Sequence, residues 1–187
     1  MTNLMIVGVG GQGSLLASRV LGTLLMEQGL DVKVSEVHGM SQRGGSVVTY
    51  VRYGDKVYSP IIAPGEADVI VSFELLEAAR WLPYLKKRGQ IVTNTQKIDP
   101  MPVINGAAVY PEGILEKLEN KGARVDALDC LQLAKEAGSG KAVNIVLLGR
   151  LSRHFDFPVS AWEDAIRACV PAKFTEMNLK AFHLGRG

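Results

Sequence analysis

Gly8-Val9-Gly10-Gly11-Gln12-Gly13 sits between a short apolar run and an amphipathic stretch, and no other feature of the 187 residues restricts the fold as tightly. Ahead of it, Leu4-Met5-Ile6-Val7 is continuously apolar and ends at glycine, the pattern of a strand buried on both faces. Behind it, Leu16, Val20 and Leu24 share one helical stripe, with Ala17, Leu21 and Leu25 beside it, and Gly29 is placed to end the helix. Residues 32–37 read as a second strand. Strand, glycine turn, helix, strand makes one βαβ unit, which crosses over right-handedly into a parallel sheet. Glycine permits tight backbone angles and close approach of a ligand, and a helix N-terminus offers unpaired N–H groups to an anion. The spacing fits G-x-G-x-x-G, and Glu36 near the end of the second strand takes the place of a ribose-binding acid, though later than the usual ~20-residue offset. Two readings stay open. The turn binds an anion or dinucleotide, or it only packs helix on strand and faces a protein.

The rest of the chain extends this pattern. Residues 39–45 form a glycine-rich loop. Residues 47–53 alternate as a strand, Gly54-Asp55 turns, and residues 56–62 read as the returning strand of a β-hairpin, so the sheet is expected to be mixed. Pro60 and Pro64 suit an edge strand or its exit. Residues 67–72 give a buried strand, 74–87 a helix and 90–94 a further strand. Lys86-Lys87-Arg88 falls at the end of that helix, where cations oppose the dipole. Pro100 and Pro102 mark a loop over 99–102. A helix at about 111–121, a strand at 124–128 and a helix at 131–137 follow, then the turn Gly138-Ser139-Gly140. The tail from Val143 reads as helical. Residues 144–155 are apolar nearly all round, so this helix is central or covered by a partner, with Asn144 as its N-cap. Ser160-Ala161-Trp162-Glu163 reads as a capping box opening a helix that buries Trp162, Ala165, Ile166 and Cys169, and Pro171 starts the last stretch. These elements predict one α/β domain over residues 1–187. It is a three-layer α/β/α sandwich, Rossmann-like, with a mostly parallel sheet made mixed by the hairpin, and a helical C-terminal tail.

Charge and cysteine usage exclude several roles. Lys and Arg number 21 against 19 Asp and Glu, a net charge of +2. That predicts no pooled basic face and no nucleic-acid partner. Cys130 and Cys169 form no close pair and fit thiols in a reducing cytosol. The N-terminus has no basic n-region ahead of its apolar run, and no apolar stretch approaches the ~20 residues that span a bilayer. A cytoplasmic protein without a membrane partner is the expectation.

A second constellation, Glu36-Val37-His38-Gly39-Met40-Ser41-Gln42-Arg43-Gly44-Gly45-Ser46, follows a strand's C-terminal end, where ligands approach α/β sheets. It holds a potential acid/base in His38, hydroxyls in Ser41 and Ser46, the Gln42 carboxamide, and Arg43 beside Gly44 and Gly45. A guanidinium fork clamps a carboxylate or phosphate. The bland alternative is a solvated loop. Asn94 and Thr95 end a strand beside the expected crevice. His154 and His183 read as surface or core residues, and Cys130 has no neighbouring histidine to activate it. The nucleophile elbow, the P-loop lysine motif, HExxH and metal-ligand spacings are absent.

At the glycine turn, the Glu36–Ser46 stretch and Phe73-Glu74, the sequence resembles the gamma-type domain of the 2-oxoacid:ferredoxin oxidoreductases. The resemblance runs along nearly the whole chain, including the Asn144 helix and the Pro171 tail. It implies oxidative decarboxylation of an aryl 2-oxoacid, with coenzyme A taking the acyl group and ferredoxin the electrons. Thiamine diphosphate with Mg and 4Fe-4S clusters are then expected on a larger alpha subunit, with none bound by this chain alone. The sequence agrees, since two isolated cysteines cannot ligate a cluster that takes four, and no Gly-Asp-Gly segment is present. Gly8, Gly10, Gly11, Gln12, Gly13, His38, Ser41, Gln42, Arg43, Gly44, Gly45 and Asn94 are the residues expected to bind substrate or coenzyme A or to face the partner. No catalytic residue and no metal ligand is assigned. Isolated copies could self-associate through the apolar helix. The competing readings are a self-contained NAD(P)- or flavin-binding oxidoreductase and a non-catalytic interaction protein.

Overall fold

The computed structural model describes residues 1–38 and 45–187, with His38 through its backbone alone. The apolar run after the N-terminus forms β1 (Thr2–Val9), and its alternation explains the layers. Leu4 and Ile6 point into one core and Met5 and Val7 into the other, all four fully buried. The remaining strands are β2 (Asp31–His38), β3 (Ser46–Gly54), β4 (Ala67–Ser72), β5 (Leu85–Asn94) and β6 (Arg124–Leu128). They form one sheet in the order β2-β3-β1-β4-β5-β6. β1, β4, β5 and β6 run parallel, whereas β3 is antiparallel to both β1 and β2.

Helices cover both faces. On the Leu4/Ile6 side lie α1 (Ser14–Glu27), α5 (Cys130–Ala137), α6 (Val143–Leu151), α7 (Val159–Cys169) and α8 (Thr175–Arg186). On the other side α2 (Leu75–Trp81) and α4 (Ile114–Asn120) pack on Met5, Val7, Ile70 and Ile91. The three-layer mixed α/β architecture expected from the sequence is the one observed. No helix among the described residues is long and apolar enough to cross a membrane.

Several expected elements differ, each for a physical reason. The hairpin joins β2 to β3, with β3 inserted between β2 and β1, and residues 56–62 form no strand. Side chains satisfy that segment instead. Asp31 Oδ2 accepts the Val57 N–H at 2.8 Å, and the Arg52 guanidinium donates to the carbonyls of Ser59 (3.1 Å) and Ile61 (2.8 Å). The helix expected over 74–87 stops at Trp81, because Pro83 supplies no N–H to continue it, and a 3₁₀ turn (Leu82–Tyr84) leads into β5. Lys86-Lys87-Arg88 therefore lies in a strand, not at a helix end. The short helix α3 (Met101–Ile104) begins within the loop expected over 99–102 and runs beyond it.

The C-terminal helices also correct the expectations. α7 begins at Val159 after Pro158 with no side-chain cap, so Ser160–Glu163 is not a capping box. Glu163 instead meets Arg167 at 3.4 Å and His183 at 2.8 Å. Cys169 is only partly buried. α6 is entered through a 3₁₀ turn (Gly140–Ala142), which places Asn144 inside the helix rather than at its N-cap. α6 is covered by α8 of the same chain, so it offers no apolar surface to a second copy. The two helices meet at glycines. A Cβ on Gly149 would lie 2.1 Å from the Phe182 carbonyl oxygen, and one on Gly185 would lie 1.9 Å from that of Val146.

Candidate functional site

The glycine turn links the C-terminal end of β1 to α1, and Gly8, Gly11 and Gly13 each stand where glycine is favoured. A Cβ on Gly8 would stand 3.0 Å from both Phe73 Cβ and Gln12 Oε1. Gly11 (φ 95°) and Gly13 (φ 87°) occupy the left-handed region that other residues adopt at a cost. Gly13 is the residue before α1, which has no side-chain cap and no acidic residue in its first turn. Its N–H groups and positive dipole end are thus left for an anion.

Two of the polar residues singled out from sequence turn out to hold the framework. Gln12 folds back, its Oε1 accepting the Val9 N–H at 2.8 Å and its Nε2 donating to the Phe73 carbonyl at 3.1 Å. Asn94 is fully buried; its Nδ2 donates to the same carbonyl at 3.2 Å and its Oδ1 accepts the Cys130 N–H at 3.1 Å. Together they tie the ends of β1, β4 and β5. The Gly10 N–H donates to the Gly45 carbonyl at 3.0 Å, so the turn also holds the C-terminal end of the 39–45 loop. Ser41, Gln42, Arg43, Gly44 and the His38 side chain lie outside the described residues.

Asn144, expected as an N-cap, reaches the site instead. Its Nδ2 donates to the Gly13 carbonyl at 3.2 Å, across the start of α1. It is the only polar residue within Ala142-Val143-Asn144-Ile145-Val146-Leu147-Leu148. Glu77 is an omission. It is buried, accepts from Ser46 Oγ at the head of β3 and from Arg80 Nε at 3.0 Å, while Trp81 Nε1 donates to the same Ser46 hydroxyl at 3.3 Å. No sequence pattern links positions so far apart.

Glu74, next to Phe73, is buried and serves structure. Its carboxylate accepts the N–H groups of Glu77 and Ile98, both at 3.0 Å, and the Tyr110 hydroxyl. Burial first, then the hydrogen bond to Glu74, pushes the Tyr110 phenol well above its usual range, so it remains a donor.

Two clefts flank the turn. One, of about 480 Å³, lies between Gly10, Gly11, Gly13, Leu15, Glu36 and Val47. The other, of about 390 Å³, lies between Gly11, Gly13, Gln96, Ile98 and Lys141. The first is lined by Glu36. The second sets the Lys141 ammonium near the start of α1, and its field favours an anionic ligand.

Cys130 is a buried thiol. Burial, then the neighbouring Asp129 charge, pushes its thiol up to about 12. Alkylation of the native protein at pH 8 is expected to modify at most Cys169, with Cys130 reacting only after denaturation. Mass spectrometry of the labelled chain checks this, and rapid native labelling of Cys130 would refute it. His154 and His183 pair with Asp126 and Glu163, both at 2.8 Å, and line neither cleft at the turn. Among the described residues no group of His, Cys, Asp and Glu could hold a metal ion.

The family model of the pyruvate ferredoxin/flavodoxin oxidoreductases matches residues 3–187. The chain belongs to that family. It is 46% identical to the indolepyruvate oxidoreductase subunit IorB of Pyrococcus horikoshii, over 98% of this chain and 93% of that one. Among solved structures, the gamma subunit of a keto/oxoacid ferredoxin oxidoreductase from Geobacter sulfurreducens superposes with a TM-score of 0.74 at 22% identity, covering 99% of this chain and 96% of that one. The 2-oxoglutarate:ferredoxin oxidoreductase of Magnetococcus marinus, solved with 2-oxoglutarate, coenzyme A and succinyl-CoA, also gives 0.74 at 21% identity; the match covers 99% of this chain and 30% of that one. These structures share the fold with the present chain.

Proposed function

We propose that this chain is the gamma-type (beta) subunit of an indolepyruvate or related aryl 2-oxoacid ferredoxin oxidoreductase, acting as one domain over residues 1–187 in the cytoplasm. The observation that carries this reading is the 46% identity to an indolepyruvate oxidoreductase subunit along 98% of the chain. The reaction is the coenzyme A-dependent oxidative decarboxylation of the 2-oxoacid, with electrons passed to ferredoxin.

Thiamine diphosphate with Mg and 4Fe-4S clusters supply carbanion storage and single-electron transfer in such chemistry. The residues of this chain do not fit the clusters. It has two cysteines, of which Cys130 is buried and protonated at neutral pH. The clusters are therefore assigned to an alpha subunit, and the thiamine cofactor is assigned there with them because the chain has no Gly-Asp-Gly segment. This chain contributes binding and enclosure. The uncapped start of α1 and Lys141 across the second cleft suit a phosphate or carboxylate of coenzyme A or substrate. Arg43, two residues ahead of Gly45 in sequence, is assigned the same kind of contact.

Co-expression with the alpha subunit is expected to give indolepyruvate- and coenzyme A-dependent ferredoxin reduction, with no turnover by either chain alone. Activity of this chain alone would overturn the reading. Arg43→Ala in the complex is expected to raise the KM for coenzyme A or the oxoacid about tenfold, the value of a lost charge-assisted hydrogen bond, without loss of assembly. Unchanged kinetics would remove Arg43 from the site. Glu36 beside the glycine turn favours a second reading, a self-contained dinucleotide enzyme. Calorimetric titration of the isolated chain with NAD(H) and NADP(H) separates the two, because only the second reading requires micromolar binding.

A further inference from the structure

The Phe73 carbonyl holds the amides of Gln12 and Asn94, and the Glu74 carboxylate next to it serves a different segment. Helix N-caps are usually short side chains, because the N–H two or three residues on is close by. Glu74 caps the seven-residue α2 with one oxygen, Oε2, which accepts the Glu77 N–H at 3.0 Å. Its greater length is used elsewhere. Oε1 accepts the Ile98 N–H at 3.0 Å and the Tyr110 hydroxyl. That hydroxyl in turn accepts the Leu76 N–H at 3.1 Å. A buried carboxyl is tolerated where its oxygens are hydrogen-bonded, and both oxygens of Glu74 are.

The segment that Glu74 reaches has no ladder of its own. Residues 95–100 lie in neither helix nor strand, yet each of residues 96–98 is tied to its surroundings. The Gln96 carbonyl accepts the Leu75 N–H at 3.1 Å, and Gln96 Oε1 accepts from Asn94 Nδ2 at 3.3 Å. The Lys97 ammonium lies 5.7 Å from the centre of the Tyr110 ring. Ile98 hangs on Glu74 through its N–H. Gln96 and Ile98 line the second cleft together with Gly11, Gly13 and Lys141. One wall of that cleft is therefore irregular backbone, held in place by side chains instead of a sheet. Glu74 does not line the cleft, so it can act there only through the residues it holds.

We propose that Glu74 is a positioning residue that, by holding Ile98, sets the width of the second cleft for an anionic ligand. This rests on the reading above, in which a phosphate of coenzyme A or the carboxylate of the 2-oxoacid enters beside Lys141 and the start of α1. Attraction to an ammonium strengthens as water is excluded, so the walls around the anion must stand close. A wall without regular structure keeps that spacing only while its anchor is intact.

Glu74→Asp separates the two duties. Aspartate caps a helix well, but it is one methylene shorter and does not span from α2 to Ile98 and Tyr110. In the complex with the alpha subunit, this variant is expected to raise the KM for coenzyme A or for indolepyruvate about fivefold, the equivalent of one hydrogen bond, with kcat within about twofold. Which KM moves identifies the anion. Lys141→Ala raises the same KM, and the double variant loses less than the product of the singles. The Ile98 amide exchanges faster in Glu74→Asp, whereas the amides of α2 keep their protection. If Glu74→Asp folds poorly, Tyr110→Phe removes only the hydroxyl and shifts the same KM in the same direction by less. An unchanged KM beside a faster Ile98 amide would confine Glu74 to holding the fold and overturn the proposal. Losses that simply multiply, or a KM that Lys141→Ala leaves untouched, would place the anion outside this cleft and overturn it too. A complex that turns over no 2-oxoacid sinks the functional reading instead. Calorimetric titration of the complex with coenzyme A and with indolepyruvate then decides the proposal: it requires weaker binding of one of them by Glu74→Asp than by wild type, and equal or absent binding overturns it.

Discussion

Gly185→Ala is expected to destabilise the fold by about 3 kcal/mol or more, at the upper end for an added methyl group. The new Cβ would lie 1.9 Å from the Val146 carbonyl oxygen and 2.7 Å from its carbon. These are backbone atoms inside α6, so no side chain can turn aside. α8 must move off α6, and that opens the core around Phe182 and Ala181, both fully buried against the helical layer. Gly149→Ala attacks the same seam from the other helix, at 2.1 Å from the Phe182 carbonyl oxygen. Urea unfolding followed by far-UV circular dichroism measures both. Because the two positions share one seam, the double variant is expected to lose less than the sum of the singles, the helices having already parted. A loss under about 1 kcal/mol for Gly185→Ala would mean that α8 slides without repacking.

That seam marks a boundary of what the sequence makes legible. Local pattern is readable. The apolar run of β1, the helical stripe of α1 and the whole of β6 lie where periodicity places them, because each is decided by its own residues. Elements whose form depends on a distant partner are misread. Residues 56–62 alternate well enough for a strand, but Asp31 and Arg52, from other strands, claim their backbone groups. Lys86-Lys87-Arg88 resembles a helix end until Pro83 is allowed to stop the helix and the register with β4 pushes the three residues out. In the site, the glycine turn is visible as sequence, but the duties of Gln12 and Asn94 are not. Both amides converge on the carbonyl of Phe73, a group that carries no sequence signal. Charge shows the same limit. A near-neutral chain predicts no basic face, yet folding gathers residues from β5, β6 and the end of α4 into one.

Gly13→Ala is expected to lower the turnover of the assembled complex about a hundredfold, the loss that follows a displacement of roughly 1 Å at a binding site. Two effects combine at this position. The left-handed backbone (φ 87°) costs any other residue about 1–2 kcal/mol. The new Cβ would also stand 2.7 Å from Asn144 Nδ2, the donor that holds the Gly13 carbonyl. Asn144 is buried in α6 and cannot retreat far, so the start of α1 is pushed instead, and both clefts beside the turn change shape. Gly11 separates the two effects. Its φ of 95° is equally demanding, but nothing lies within 4 Å of its Cβ position. Gly11→Ala should therefore cost stability without moving α1, and retain much more activity. Asn144→Ala relieves the contact, so combining it with Gly13→Ala is expected to restore part of the turnover lost by Gly13→Ala alone. Steady-state kinetics of the four complexes form a double-mutant cycle. If Gly13→Ala and Gly11→Ala prove equally harmful and Asn144→Ala rescues nothing, the turn acts through backbone strain alone, and the Asn144 contact has no part in shaping the site.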